Sequence, residues 1–248
     1  MNGHGVDYSA RSKSRSLQRR IRRTPGASRL AQYDGKIFCI GFYKTGTTSL
    51  YDALRILGYR TINGDRPGSY PGADDGETLL KQIARGDHRL PTFDLFDAFT
   101  DAPYLWIWRE IDAMFPDARY ILTIRDEDAW IRSCVKFFRG RRIRPMMIWM
   151  FGKHADPSRD EASRQAWLEI YRKHNADILQ HFAGREHQFM VLDCVREPGW
   201  EKLCAFLDAP IPDLPWPHSN PTRESSRLRL FRRRVMQALG LELKLPKE

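Results

Sequence analysis

The chain has no uninterrupted apolar run of about 18 residues, so nothing in it is long enough to cross a bilayer as a helix. Its first residues lack the apolar centre of a secretion signal. Cysteine is scarce: Cys39, Cys134, Cys194 and Cys204 are the only four in 248 residues, and none stands at metal-binding spacing. Cys39 and Cys194 fall in expected strands and Cys204 on the apolar face of an expected helix. Buried free thiols in a reducing compartment are therefore expected, and no metal. No internal repeat is present. These absences point to a cytoplasmic globular protein. A content of 42% hydrophobic and 12% aromatic residues is enough for one large α/β core.

Acidic residues are sparse where the chain begins and ends. Residues 1–29 carry eight Lys/Arg against one acid, and residues 222–248 carry eight against three. The formal charge of +10 therefore resides in the ends, at +7 and +5, and leaves 30–221 at −2. Net charge thus says little about a central site. Residues 1–29, rich in Ser and Arg, read as a disordered tail. Residues 222–248 read as a basic extension, in which 228–241 places Arg between apolar residues at helical spacing, the pattern of a membrane-surface helix. Either end could meet the anionic inner surface of a membrane by charge alone, and no specific nucleic-acid contact is expected.

Between the ends, strands are expected at 36–42, 59–62, 93–99, 118–124 and 187–193. Helices are expected at 47–57, 78–85, 102–115, 127–138, 158–182 and 198–207, with a Gly/Pro/Asp-rich loop over 63–76. This alternation predicts an α/β domain over 30–221, P-loop-like and three-layered (α/β/α), with a central parallel sheet of about five strands. Ligands bind at the carboxyl ends of such strands.

The most informative absence lies in Gly41-Phe42-Tyr43-Lys44-Thr45-Gly46-Thr47-Thr48-Ser49, directly after an apolar strand. Gly41 and Gly46 have the spacing of a P-loop, but Thr47 follows where a nucleotide triphosphatase carries Lys. The cation is Lys44 instead. The amides of Thr45 to Thr48 and the hydroxyls of Thr47 and Thr48, at a helix start, suit an anion. Lys44 suits charge that develops on a leaving oxygen.

Two further groups follow other strands. Arg125 ends the expected fourth strand and Ser133 lies two turns into the next helix; the pair could bracket a second phosphate. The ordinary alternative is an Arg125 ion pair with a nearby acid and an exposed Ser133. Asp101, in Thr100-Asp101-Ala102-Pro103, reads either as an N-cap or as a carboxylate that accepts a proton at the ligand edge. Asp97, between Phe96 and Phe99, is a second candidate and must find a partner or take a raised pKa. Residues 137–151, arginines followed by a Met/aromatic cluster, are either a core segment or an acceptor lid.

In this order the elements resemble the sulfotransferases that use 3′-phosphoadenylyl sulfate (PAPS). Lys44-Thr45-Gly46-Thr47-Thr48 matches that family's 5′-phosphosulfate loop, and Arg125 with Ser133 its 3′-phosphate pair. The subgroup with Gly-x-x-[Lys/Arg]-Thr-Gly-Thr-x-Ser loops and a Phe-Asp-x-x-x-Asp-x-Pro segment is similar to Gly41–Ser49 and to Phe96–Pro103. The likeness spans about 36 to 220, including Val191–Leu207 as the last strand and helix. It implies PAPS as donor, Lys44, Thr45, Gly46, Thr47, Thr48, Ser49, Arg125 and Ser133 as its binding residues, and Lys44, Asp101 and Asp97 as catalytic candidates. The implied acceptor is a glycan, lipid or small molecule. Three departures stand out. Asp101 replaces a His base, Ser49 replaces an adenine-stacking Trp, and the Arg-Lys-Gly loop is missing, with His218, Ser219, Asn220 and Arg223 as nearest substitutes. Competing readings are a P-loop nucleotide kinase or triphosphatase, and a non-catalytic adaptor for membranes or nucleic acid.

Overall fold

The computed structural model describes residues 30–64, 77–196 and 199–217. The basic ends, His218 to Asn220, Arg223 and most of the 63–76 loop lie outside the described residues.

Five parallel strands form one sheet: β1 (Ile37–Cys39), β2 (Thr61–Asn63), β3 (Ala98–Thr100), β4 (Arg119–Thr123) and β5 (Phe189–Leu192), in the order β2-β3-β1-β4-β5. Side chains alternate across the sheet. Ile37, Cys39, Ala98 and Ile121 face α1 (Thr47–Ile56) and α8 (Gly199–Phe206) through Leu50, Ala53, Leu54, Trp200 and Leu203. Phe38, Ile40, Phe99, Tyr120 and Leu122 face the other way. There they pack on α2 (Glu77–Ala84), α3 (Thr92–Leu95), α4 (Trp108–Met114) and α7 (Glu161–His181). This is the expected three-layer arrangement.

A third apolar cluster lies around the exit of β1. Phe42 and Tyr43 meet α5 (Glu127–Phe138), α6 (Pro145–Phe151) and α7 through Trp130, Cys134, Phe138, Met147, Trp167 and Tyr171. A 3₁₀ turn, Gly152–His154, joins α6 to the chain leading into α7. Helix starts follow their caps. Asp126 accepts from Ala129 N (3.0 Å) at α5, and Asp160 accepts from Ser163 N (2.8 Å) at α7.

Two expected elements are corrected. Residues 93–99, apolar apart from Asp94 and Asp97, are not one strand. Pro91, with φ −58°, leads into the single turn α3, and Phe96 N closes on Thr92 O (3.0 Å) before β3 begins at Ala98. A segment this short and mostly apolar has no period that separates strand from buried helix. The helix expected over 102–115 is only α4: residues 101–107 are turns containing a cis Ala102–Pro103 bond, with Tyr104 and Leu105 buried. The segment 145–151, for which no helix was expected, is helix α6.

Candidate active site

The strand order sets β3, β1 and β4 side by side and parallel, so their carboxyl ends lie along one edge of the sheet. Asp101 follows β3, the Gly41–Ser49 loop follows β1, and Arg125 follows β4. The three groups that the sequence singled out thus share one edge, where strand order reverses and open α/β sheets bind ligands.

The loop is built tightly. A Cβ on Gly41 would stand 2.2 Å from Thr123 Oγ1, so only glycine lets β1 leave this close to β4. Gly46 has φ 102°, and a Cβ there would sit 2.4 Å from Cys194 Cβ. Gly46 is also the N-cap of α1, with no side-chain cap and no acid in the first turn. That leaves the positive helix end uncompensated, as an anion site requires. Thr45 is fully buried: its hydroxyl donates to Phe42 O and lies 2.6 Å from Thr123 Oγ1. The Thr45 hydroxyl is thus committed within the protein. Thr47 and Ser49 are buried in the first turn and Thr48 is half-buried.

Lys44, at φ 70°, is half-buried. Its ammonium lies 4.6 Å from the centre of the Phe137 ring. Burial lowers its pKa; Cys134 opposes this, Arg125 adds to the lowering, and Asp101 is near enough to oppose it. Arg125 Nη1 donates to Lys44 O at 3.1 Å. Its backbone is tied at both polar atoms to Tyr171, whose hydroxyl accepts from Arg125 N (3.0 Å) and donates to Arg125 O (2.9 Å). Arg125 Nε is buried without a partner, and among the described residues no ion pair engages this guanidinium. Among the described residues, therefore, the alternative of an Arg125–acid pair is not formed. Ser133, half-buried on α5, precedes Cys134, which lies close enough to Lys44 and Arg125 for both to act on its thiol.

The two carboxylates separate cleanly. Asp97 precedes β3, at the opposite end of that strand from the ligand edge. It is gripped by Arg60 through Nη2–Oδ1 (2.6 Å), Nε–Oδ2 (3.0 Å) and the Arg60 amide (3.1 Å). It found the partner its burial demanded and does not join the site. Asp101 does: half-buried, at φ 73°, it accepts from Ala102 N at 2.9 Å. It does not cap a helix, because α4 starts at Trp108.

Several bracing residues carry no sequence signal of their own. Trp130 Nε1 donates to Tyr43 O (2.9 Å), and its ring stacks on Tyr171 at 4.1 Å. His174 Nε2 lies 2.7 Å from Ile40 O. The Tyr43 hydroxyl is buried without a partner, and burial raises its pKa well above the ordinary phenol value. All four thiols are held above their ordinary pKa by burial, Cys39 at about 11, which excludes them as ready nucleophiles. No helix among the described residues is long and apolar enough to cross a membrane.

Comparison with known proteins agrees with this geometry. The chain is 24% identical over 213 residues, 74% of its length and 80% of the relative's, to "Ava biosynthesis cluster protein M" of Aspergillus versicolor. A family model described as "Sulfotransferase domain" matches residues 36–225, from the strand before the loop past the last described residue. That match covers most of the chain, and the protein belongs to the sulfotransferase domain family.

Proposed function

We propose that this protein moves a sulfuryl group from PAPS to a hydroxyl or amine of a glycan, lipid or small-molecule acceptor. The observation that carries this reading is the bond from Arg125 Nη1 to Lys44 O. It supports two adjoining anion sites, one on the loop and one on Arg125. Adenosine phosphorylated at both 5′ and 3′ positions has that demand, and ATP does not. The residues fit the donor. The first turn of α1 is uncapped, and the buried Arg125 Nε has a hydrogen to give.

In this reading the amides of Thr45 to Thr48 and the hydroxyls of Thr47 and Thr48 hold the 5′-phosphate. Ser49, buried beneath them, packs the first turn. Arg125 and Ser133 take the 3′-phosphate, with Arg125 pre-oriented by Tyr171. The donor, when bound, would supply the sulfuryl group to the acceptor's oxygen or nitrogen and would leave as adenosine 3′,5′-bisphosphate, with the electron pair of the broken bond on its 5′-phosphate oxygen. Lys44 meets the electron pair left on that phosphate oxygen. Asp101 takes the acceptor's proton; Asp97, locked to Arg60, has no such access. As in phosphoryl transfer, positioning and charge stabilisation carry most of the rate.

The test is incubation with PAPS and candidate acceptors, followed by mass spectrometry for the added sulfuryl group. Lys44→Ala is expected to lower turnover by about two to three orders of magnitude with an unchanged circular dichroism spectrum. Undiminished transfer by that variant would remove Lys44 from the mechanism.

A further inference from the structure

We propose that the stretch from the end of α5 into α6 recognises a negative charge on the acceptor, making the acceptor an acidic amphiphile: an apolar body bearing a carboxylate, phosphate or sulfate. This rests on the sulfuryl-transfer reading and names the substrate class for the same site.

From Ala129 to Ala155 there is no Asp or Glu and there are seven Lys/Arg, inside a region (30–221) whose net charge is −2. Several arginines elsewhere on the domain are paired with acids: Arg89 with Asp94, Arg119 with Asp208, Arg172 with Glu127 and Arg185 with Asp112. Arg139, Arg141 and Arg142 are exposed, and none meets a carboxylate among the described residues. Unpaired like charges this close repel one another, and an arriving anion removes that repulsion.

The second observation ties the cluster to the reacting centre. The Arg141 guanidinium lies 4.4 Å from the centre of the Phe137 ring, and the Lys44 ammonium lies 4.6 Å from the same centre. Phe137 therefore joins the basic stretch to the lysine that faces the transferred group. Arg141 and Arg125 both act to lower the Lys44 pKa, as unscreened neighbouring cations do. On α6, which follows in the chain, Ile148 and Trp149 are about half exposed, while Met147 and Phe151 of the same helix point into the core. The basic stretch thus runs directly into exposed apolar side chains. Helix α6 has only seven residues, too short an apolar face to lie in a bilayer, so a single amphiphile fits better than a membrane surface.

The test uses the full chain and three matched alcohols: hydroxydodecanoate, its primary amide, and aminododecanol. Calorimetry at low salt is run with and without adenosine 3′,5′-bisphosphate, on wild type and on an Arg141→Gln, Arg142→Gln double variant. Wild type is expected to bind the carboxylate roughly tenfold tighter than the amide, and the amine weakest, as a charge-assisted contact implies. The double variant loses that discrimination and keeps its bisphosphate affinity. Equal binding of the three alcohols, or discrimination that survives in the variant, overturns the proposal. So does a parallel fall in bisphosphate affinity, which would assign the arginines to the donor. If the bisphosphate fails to bind at all, the donor reading falls, while the nucleotide-free titrations still decide this one.

Discussion

Acidification should loosen the root of the anion-binding loop through His174. Its Nε2 lies 2.7 Å from Ile40 O, at the exit of β1. A carbonyl can only accept, so Nε2 carries the proton and the neutral ring is already committed. The ring is buried, edge-on to Phe42 at 4.8 Å and near Trp106 at 5.8 Å. Burial lowers its pKa from 6.5 to about 4, against the opposing bond to Ile40 and the Asp177 charge, and with help from Arg109. The sign follows from proton counts. Between pH 6.5 and 4 the unfolded chain binds a proton on His174 that the native protein does not, so native stability falls as pH falls through that window. At about 1.4 kcal/mol per pKa unit the full loss is about 3 kcal/mol, with about 2 kcal/mol already gone at pH 5. His174→Gln retains an N–H for Ile40 and removes the titration. Urea unfolding at pH 7 and pH 5 should show wild type losing about 2 kcal/mol more than the variant. Equal losses would mean that this imidazole is not the buried neutral group described.

Three further outcomes follow from the site. Gly46→Ala forces a side chain onto a φ of 102° and against Cys194 Cβ, so thermal unfolding should report a loss of about 2–4 kcal/mol; an unchanged melting temperature would contradict the packing of the loop on the turn after β5. Arg125→Gln should weaken adenosine 3′,5′-bisphosphate roughly tenfold or more by fluorescence titration, while binding of inorganic pyrophosphate changes less. A uniform fall for both ligands would make Arg125 a loop brace only. Asp101→Asn should lower kcat by about two orders of magnitude with KM for the donor little altered. Equal activity in that variant would exclude Asp101 as the proton acceptor.

Much of the fold was legible because each parallel strand and helix carries its own pattern. Asp126 immediately precedes the helix expected at 127, whereas the helix expected from 158 begins only after the Asp160 cap; the run before Gly41 was long enough to fix β1 and the loop after it. The third strand was misplaced because residues 93–99, apolar apart from Asp94 and Asp97, are too short for periodicity to separate strand from buried helix, and Pro91 leads the first half into α3. The edge shared by Asp101, Lys44 and Arg125 could be read from strand alternation alone, since parallel strands must point their carboxyl ends the same way. Choosing between Asp97 and Asp101 could not. The choice depends on Arg60, 37 residues away, reaching Asp97. Nor could the sequence show that Tyr171 and His174 brace Arg125 and Ile40, because a tyrosine and a histidine three residues apart on a helix match any core face. The arginines of 137–151 were visible in the sequence, but their link to Lys44 through the Phe137 ring was not.

The most direct test of the central claim is a paired titration of wild-type protein with adenosine 3′,5′-bisphosphate and with ADP plus magnesium. Two adjoining anion sites, one on the Gly41–Ser49 loop and one on Arg125 with Ser133, predict that the bisphosphate binds at least about tenfold tighter. Tighter binding of ADP with magnesium would contradict the account and return the loop to the nucleotide triphosphatases.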